Sequence, residues 1–449
     1  MTDIPSLSAL ELARLVQARK VTATDILRDY RAQVEARNSE INAFVTLDWD
    51  AAHTRAETLD AMGARGEFAG PLHGVPVAIK DTFETKGLRT TWGSRSFETH
   101  VPDFDALHVA RLREAGAVIF GKTNAPEFAF SGQTSNLVAG TTRNPHDPSR
   151  TVAGSSGGAA AALAANMTAL ADGSDLGGSV RTPAAWCGVV GFRPTSGLVP
   201  YHPNPAPFDG LYVPGPMARN VTDTVLMLRV MAGASPLQPL GFSGEIPDLN
   251  TLDHVFPAGR IAFAALPFGT RTDPSILAAL TPVQDLCRDL GWHVEDAAPP
   301  LDALHDYAQL TRGLSALGVR RTLNPDMSLA APSFHTACAG ADGLSLADFV
   351  DYQAVRADVW DKTARFFETY EFALWPTSSG RAFSADLQDH EITEDWRNVT
   401  LSPVMELPSI SIPFGTDQDG LPVGLHISGP KGSDARLLRF ARQIENALT

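Results

Sequence analysis

Residues 74–81 read Gly74-Val75-Pro76-Val77-Ala78-Ile79-Lys80-Asp81, a short apolar run that ends in a lysine. Its length and β-branched content suit a strand buried on both faces. A helical stretch follows at 106–115, then a second buried strand at Ala117-Val118-Ile119-Phe120. An Ala-Leu helix is expected at 159–165 and a Gly-rich loop at 173–181. Further strands are expected at 259–264, 292–294, 372–376, 409–413 and 423–428. Helices are expected over 274–290, much of 301–370 and 435–448. Gly420-Leu421-Pro422 reads as a turn. The first 65 residues read as helical, with Ser8 and Glu11 forming a capping box and Thr22 and Asp25 opening a second helix. Strands alternating with helices imply an α/β layered fold. No repeat, low-complexity tract or linker divides the chain, so one large domain spanning 1–449 is expected.

The composition agrees. The chain has 449 residues, 44% of them hydrophobic and 19% charged, which excludes a disordered chain. Its formal charge of −15 argues against a phosphate backbone as the main partner, because that needs clustered Lys and Arg. Cys187, Cys287 and Cys338 are far apart and form no C-x-x-C pair, so neither a disulfide framework nor a thiolate metal site is expected. No basic segment leading into an apolar one opens the chain, and no 18-residue apolar run occurs. A cytoplasmic protein without membrane association is the expectation.

Four local patterns carry possible chemistry. Gly116 to Thr123 satisfies the P-loop spacing, but its centre is the apolar run 117–120, which belongs in a strand and not in a phosphate cradle. Gly154-Ser155-Ser156-Gly157-Gly158 satisfies G-x-S-x-G, which would make Ser156 the nucleophile of an esterase. That reading needs a histidine, and His202, His254, His293, His305, His335, His390 and His426 all lack flanks that mark a base. In Asp172-Gly173-Ser174-Asp175-Leu176-Gly177-Gly178-Ser179-Val180-Arg181, consecutive N–H donors beside a serine suit an oxyanion site. Lys80 closes an apolar strand. It either snorkels to solvent or is buried and neutral, hence a base. A buried lysine with serines on two Gly-rich loops forms a proton relay that needs no histidine.

With these residues in view, the chain resembles the amidase signature family. The likeness runs over 74–81, 143–165, 173–195 and Gly215-Pro216-Met217-Ala218-Arg219 with Asp223. Weaker echoes lie at Trp375-Pro376-Thr377, 408–415 and 420–424. The 75 residues from Lys80 to Ser155 and 24 from Ser155 to Ser179 also fit. The resemblance implies a central mixed sheet covered by helices on both faces, with a signature core at about 70–230 and an N-terminal helical segment at about 6–65. It implies a Ser–cis-Ser–Lys triad: Lys80 as base, Ser155 as bridge after a cis peptide, and Ser179 as nucleophile. Oxyanion donors fall on the N–H groups of Leu176, Gly177, Gly178 and Ser179. Phe130 and Ser131 fall in the substrate-binding region, while Asp175 and Arg181 brace the loop. Ala153 stands where the family usually has Gly, and Leu176 where Thr or Ile is common.

The implied activity is hydrolysis of a carboxamide C–N bond without metal or cofactor. For Lys80 to act as base its pKa must fall from about 10.4 to about 7–8, roughly 4 kcal/mol of differential solvation. The expected partner is a small-molecule amide, with no nucleic acid and a possible homodimer. An alternative is the A subunit of a glutamine-dependent tRNA amidotransferase, although 128–136 lacks the Met-Gly-Ser-Ser-Thr-Glu-like run associated with it. Segments 128–133, 202–213, 305–335 and 375–400 are candidates for the pocket mouth. Phe130, Phe208, Tyr212 and Trp375 there suit either an apolar acyl group or the core.

Overall fold

The computed structural model describes residues 3–448 apart from 256, 266, 268–270, 300–303, 389–390, 393–398 and 400. Among these residues the strands are β1 (Phe44–Leu47), β2 (Pro76–Lys80), β3 (Val118–Thr123), β4 (Ser135–Asn136), β5 (Gly140–Thr141), β6 (Leu170–Asp175), β7 (Val190–Arg193), β8 (Val213–Ala218), β9 (Arg260–Phe263), β10 (His293–Asp296), β11 (Phe372–Pro376), β12 (Ser409–Thr416) and β13 (Pro422–Ser428). All but the small β4–β5 ribbon join one mixed sheet of 11 strands, in the order β1-β3-β2-β6-β8-β7-β12-β13-β11-β9-β10. β2 lies parallel to both β3 and β6, with Val77 opposite Leu170 and Ala78 opposite Ala171. β6 then runs antiparallel to β8.

The sheet is covered on both faces, and the alternation of side chains along its strands shows how. Val77 and Ile79 pack in one apolar layer with Leu12, Val109, Val225 and Leu437 from four helices. Ala78 turns to the other layer, with Phe120 and the Gly- and Ala-rich helix Gly157–Ala164. A strand with both faces buried has to be apolar throughout, which is why β2 reads as a continuous hydrophobic run. Every residue of β2 is buried, Lys80 included. The single α/β domain matches expectation.

Several elements differ from the sequence reading. The first 65 residues hold helices Ala9–Gln17, Ala23–Ile41 and Trp49–Ala64, but strand β1 lies between the last two. Four residues are too few to show a period against flanking helices. The stretch 274–290 is two helices, Pro274–Leu280 and Pro282–Asp289, because Pro282 has no N–H to continue the first. Gly173-Ser174-Asp175 opens the expected loop yet completes β6. Val213–Ala218, with two prolines and a glycine, is also a strand. The P-loop spacing falls on β3, buried throughout, so no phosphate cradle exists there.

Candidate active site

Lys80 is the last residue of β2, the middle strand of the parallel trio β3-β2-β6, and is fully buried. Its Nζ lies 2.7 Å from Ser155 Oγ, 2.8 Å from Ser174 Oγ and 3.0 Å from Ser156 Oγ. All three are hydroxyls, which can donate or accept, so the amine is solvated by groups that tolerate either protonation state. Burial disfavours the ammonium and brings the pKa of Lys80 down to about 7, while the negative charges of Asp172 and Asp175 pull the other way. The snorkelling alternative is thereby excluded.

Ser155 and Ser156 precede the helix Gly157–Ala164, whose N-cap is Ser156. The Gly154–Ser155 peptide is cis, and Ala153 holds φ +61°, the left-handed region that favours the glycine common there in the resembled family. The N–H of Ser156 donates to the C=O of Ser179 at 3.0 Å, which ties the two serine-bearing loops together. Ser155 and Ser179 both line a cavity of about 190 Å³. Ser156 does not line it; its hydroxyl is fully buried between Lys80 and the backbone of Ser174. An esterase nucleophile at Ser156 is therefore out of reach of a substrate in this cavity.

Asp175 shapes the second loop. Its carboxylate accepts from the N–H groups of Gly178 (3.0 Å) and Val180 (3.1 Å) and from Arg181 through Nε (3.0 Å) and Nη2 (2.8 Å). Arg193 adds a further guanidinium, bonded to the carbonyl of Asp175 and to that of Leu211 at 2.8 Å. All three charged side chains are fully buried. Burial alone would raise the Asp175 carboxyl, but Arg181, Arg193 and the Gly178 N–H hold it well below the usual range. Burial also brings Arg193 down to about 10. One expectation changes here: the Gly178 N–H is committed to Asp175, so it is not available to an oxyanion. No described group accepts from the N–H of Leu176, Gly177 or Ser179. Gly178 itself holds φ +101°, and a Cβ there would meet Val399 Cγ2 at 2.0 Å.

Aromatic side chains line part of the cavity, namely Trp92, Phe128, Phe130, Tyr201 and Tyr212, with Leu176 at the loop. Ser131 lines it as well. Residues 203–206 and Asp209 supply one rim, and Arg312, Ser315, Val319, Thr322 and Leu323 of the helix Leu304–Leu323 supply another. The mouth segments 128–133, 202–213 and 305–335 thus contribute, but no described residue of 375–400 does. Phe208 is 78% exposed, and Trp375 is a core residue stacked on His426 at 4.4 Å. His305 and His390 lie outside the described side chains. His202, His254, His293 and His335 are exposed, and burial pushes His426 well below the usual histidine range. Sequence reasoning missed Ser174 and Ser156 as partners of Lys80, and it missed Arg193.

Residues 25–438 match the family model described as Amidase. The chain belongs to the amidase family. Among its relatives are A subunits of glutamyl-tRNA(Gln) amidotransferase. That of Koribacter versatilis (strain Ellin345) is 34% identical over 464 residues, 96% of each chain. That of Acidothermus cellulolyticus (strain ATCC 43068 / DSM 8971 / 11B) is 34% identical over 485 residues, covering 100% of this chain and 95% of the relative. Similar solved structures include a bacterial aryl acylamidase of the amidase signature family, with a TM-score of 0.90 and 25% identity over 98% of this chain and 96% of that one. Another is 6-aminohexanoate cyclic dimer hydrolase with its substrate, with a TM-score of 0.88 and 27% identity over 100% and 98%. An enzyme acting on amides is the common denominator. The amidotransferase relatives overturn the expectation of a small-molecule partner and no nucleic acid: net charge speaks for the whole surface, and relatives named for a tRNA-dependent reaction match nearly the full chain.

Proposed function

We propose that this amidase-family chain cleaves the C–N bond of a carboxamide through an acyl-enzyme on Ser179, with Lys80 and Ser155 as the proton relay. One observation carries the proposal: a fully buried amine with Nζ 2.7 Å from the hydroxyl of Ser155, which shares a cavity with Ser179. A serine hydroxyl is a poor nucleophile at neutral pH and needs a base. Neutral Lys80 takes a proton from Ser155 as Ser155 takes one from Ser179. The Ser179 oxygen adds to the carbonyl carbon, and the oxyanion is met by the N–H groups of Leu176, Gly177 and Ser179. A single such donor is worth about 3 kcal/mol. The relay returns the proton to the nitrogen, which leaves as ammonia or an amine. Water enters by the same route, and the acyl group departs as a carboxylic acid. The N-terminus of helix Gly157–Ala164 beside Ser155 favours negative charge in the relay.

The test is a panel of carboxamides with ammonia and amine detection, joined to labelling by a fluorophosphonate. Adduct on Ser179, absent in Ser179→Ala, is expected. Adduct on Ser156 that survives Ser179→Ala would overturn the assignment.

The relatives favour a second reading for the same chemistry. In it the chain is one component of an assembly that amidates glutamyl-tRNA(Gln), with glutamine as the carboxamide. The supporting observation is 34% identity to the A subunits of that amidotransferase over at least 96% of the chain. Purification from the native cell decides between them. A component of such an assembly copurifies with other chains and releases ammonia from glutamine in their company, whereas a freestanding enzyme is active alone.

A further inference from the structure

Two buried ionisable side chains beside Lys80 take no part in the relay. Asp172, on β6, is fully buried, and its Oδ1 accepts the backbone N–H of Lys80 at 2.6 Å. Its Oδ2 lies 2.9 Å from Nε2 of His108, which is also fully buried, on the helix Leu107–Glu114. The ring of His108 packs edge-on against Phe83, with centroids 4.4 Å apart. No described group partners His108 Nδ1. The tautomer with its proton on Nε2 leaves only an acceptor unpaired and donates to Asp172. A buried carboxylate is destabilising unless hydrogen-bonded. Here each oxygen has its own donor, one of them the backbone of the candidate base.

We infer that Asp172, held in place by His108, is a positioning residue for Lys80: it fixes the end of β2 and sets a negative charge against which the Lys80 amine exchanges its proton. The inference rests on Lys80 being the base. Desolvation drives that amine toward the neutral form, and an amine pushed too far becomes a weak base; the best catalytic base titrates near the working pH. The anions that oppose desolvation at Lys80 are Asp172 and Asp175, both on β6. Asp175 is already engaged by two guanidiniums. Asp172 faces Lys122 of β3 and Tyr212 in addition to His108. Asp172 carries no guanidinium, and its bond reaches the backbone of the lysine directly.

The experiment is the pH profile of kcat/KM for the full chain and three variants. Asp172→Asn keeps an oxygen for the Lys80 N–H and removes the charge, so the acid limb is expected to move to lower pH by about half a unit or more. His108→Ala removes the Nε2 donor and is expected to lower kcat about fivefold or more with KM little changed, and His108→Gln, which restores an N–H donor, to recover most of it. An acid limb in Asp172→Asn that coincides with the parent, or a His108→Gln no better than His108→Ala, overturns the inference. Should Asp172→Asn not fold, the two His108 variants decide. Failure of the underlying assignment is a separate signal: Lys80→Ala would then keep its activity.

Discussion

Replacing Lys80 by methionine separates its charge from its shape. Both side chains are unbranched, and the site is fully buried. In the folded protein Lys80 releases its proton at about 7, against 10.5 for an ordinary lysine. Between those values the unfolded chain holds a proton on Lys80 that the folded chain does not, so the contribution of Lys80 to stability rises with pH across that window and is flat below it. The methionine variant lacks this dependence, and all other groups cancel in the difference. From pH 7 to 9 the parent gains about 2 kcal/mol on the variant, because the slope is half its full value of about 1.4 kcal/mol per pH unit at the folded pKa and reaches that value only above it. For a chain of 449 residues the unfolding entropy is about 0.9 kcal/mol/K, so the Tm of the parent rises by about 2–3 °C relative to that of the variant. Loss of hydrogen bonds to Ser155, Ser156 and Ser174 lowers the variant by an amount independent of pH. Paired thermal melts at pH 6, 7, 8 and 9 measure the effect, and turnover should fall about 10²–10⁴-fold in the same variant. A Tm gap that is constant from pH 7 to 9 would mean Lys80 keeps its charge when folded, and the relay would have no base.

Three further outcomes are expected. In the parent, kcat/KM should rise with pH through about 7 as the neutral fraction of Lys80 grows; a profile level from pH 5 to 9 would contradict this. Arg193→Met leaves Asp175 paired with Arg181 but deprives the buried carbonyls of Asp175 and Leu211 of their donor, so a stability loss of about 2–5 kcal/mol is expected in denaturant unfolding. Gly178→Ala forces a Cβ to within 2.0 Å of Val399 in a left-handed backbone and displaces the N–H groups around Ser179. A kcat about 10²-fold lower is expected, with a smaller change in KM.

What the sequence made legible is what is local. Lys80 announces itself by ending an apolar run, and Ser155 and Ser179 by their glycine-rich surroundings. The partners of Asp175 at Gly178, Val180 and Arg181 lie within six positions of it, so the brace too was readable. Other contacts join distant segments. Arg193 reaches Asp175 across 18 residues, because the helix Arg181–Cys187 stands between β6 and β7 in the chain. Arg312 reaches the carbonyl of Phe130 across 182 residues. Ser174 was in view, but its turn toward Lys80 depends on β6 extending to Asp175, and glycine-rich composition disguised that extension. The helical rim of the cavity follows from tertiary packing, which no local pattern reports.

Asp172 and Ser174 stand two positions apart on one strand, the first holding the backbone of Lys80 and the second its amine. Pleating gives neighbours along a strand opposite directions. One residue inserted between them would turn one of the pair away from the lysine, and one inserted ahead of both would throw the loop at Ser179 out of phase with Ser155. This segment can therefore change in letter but not in length, whereas the rim at 203–206 has no such phase to keep.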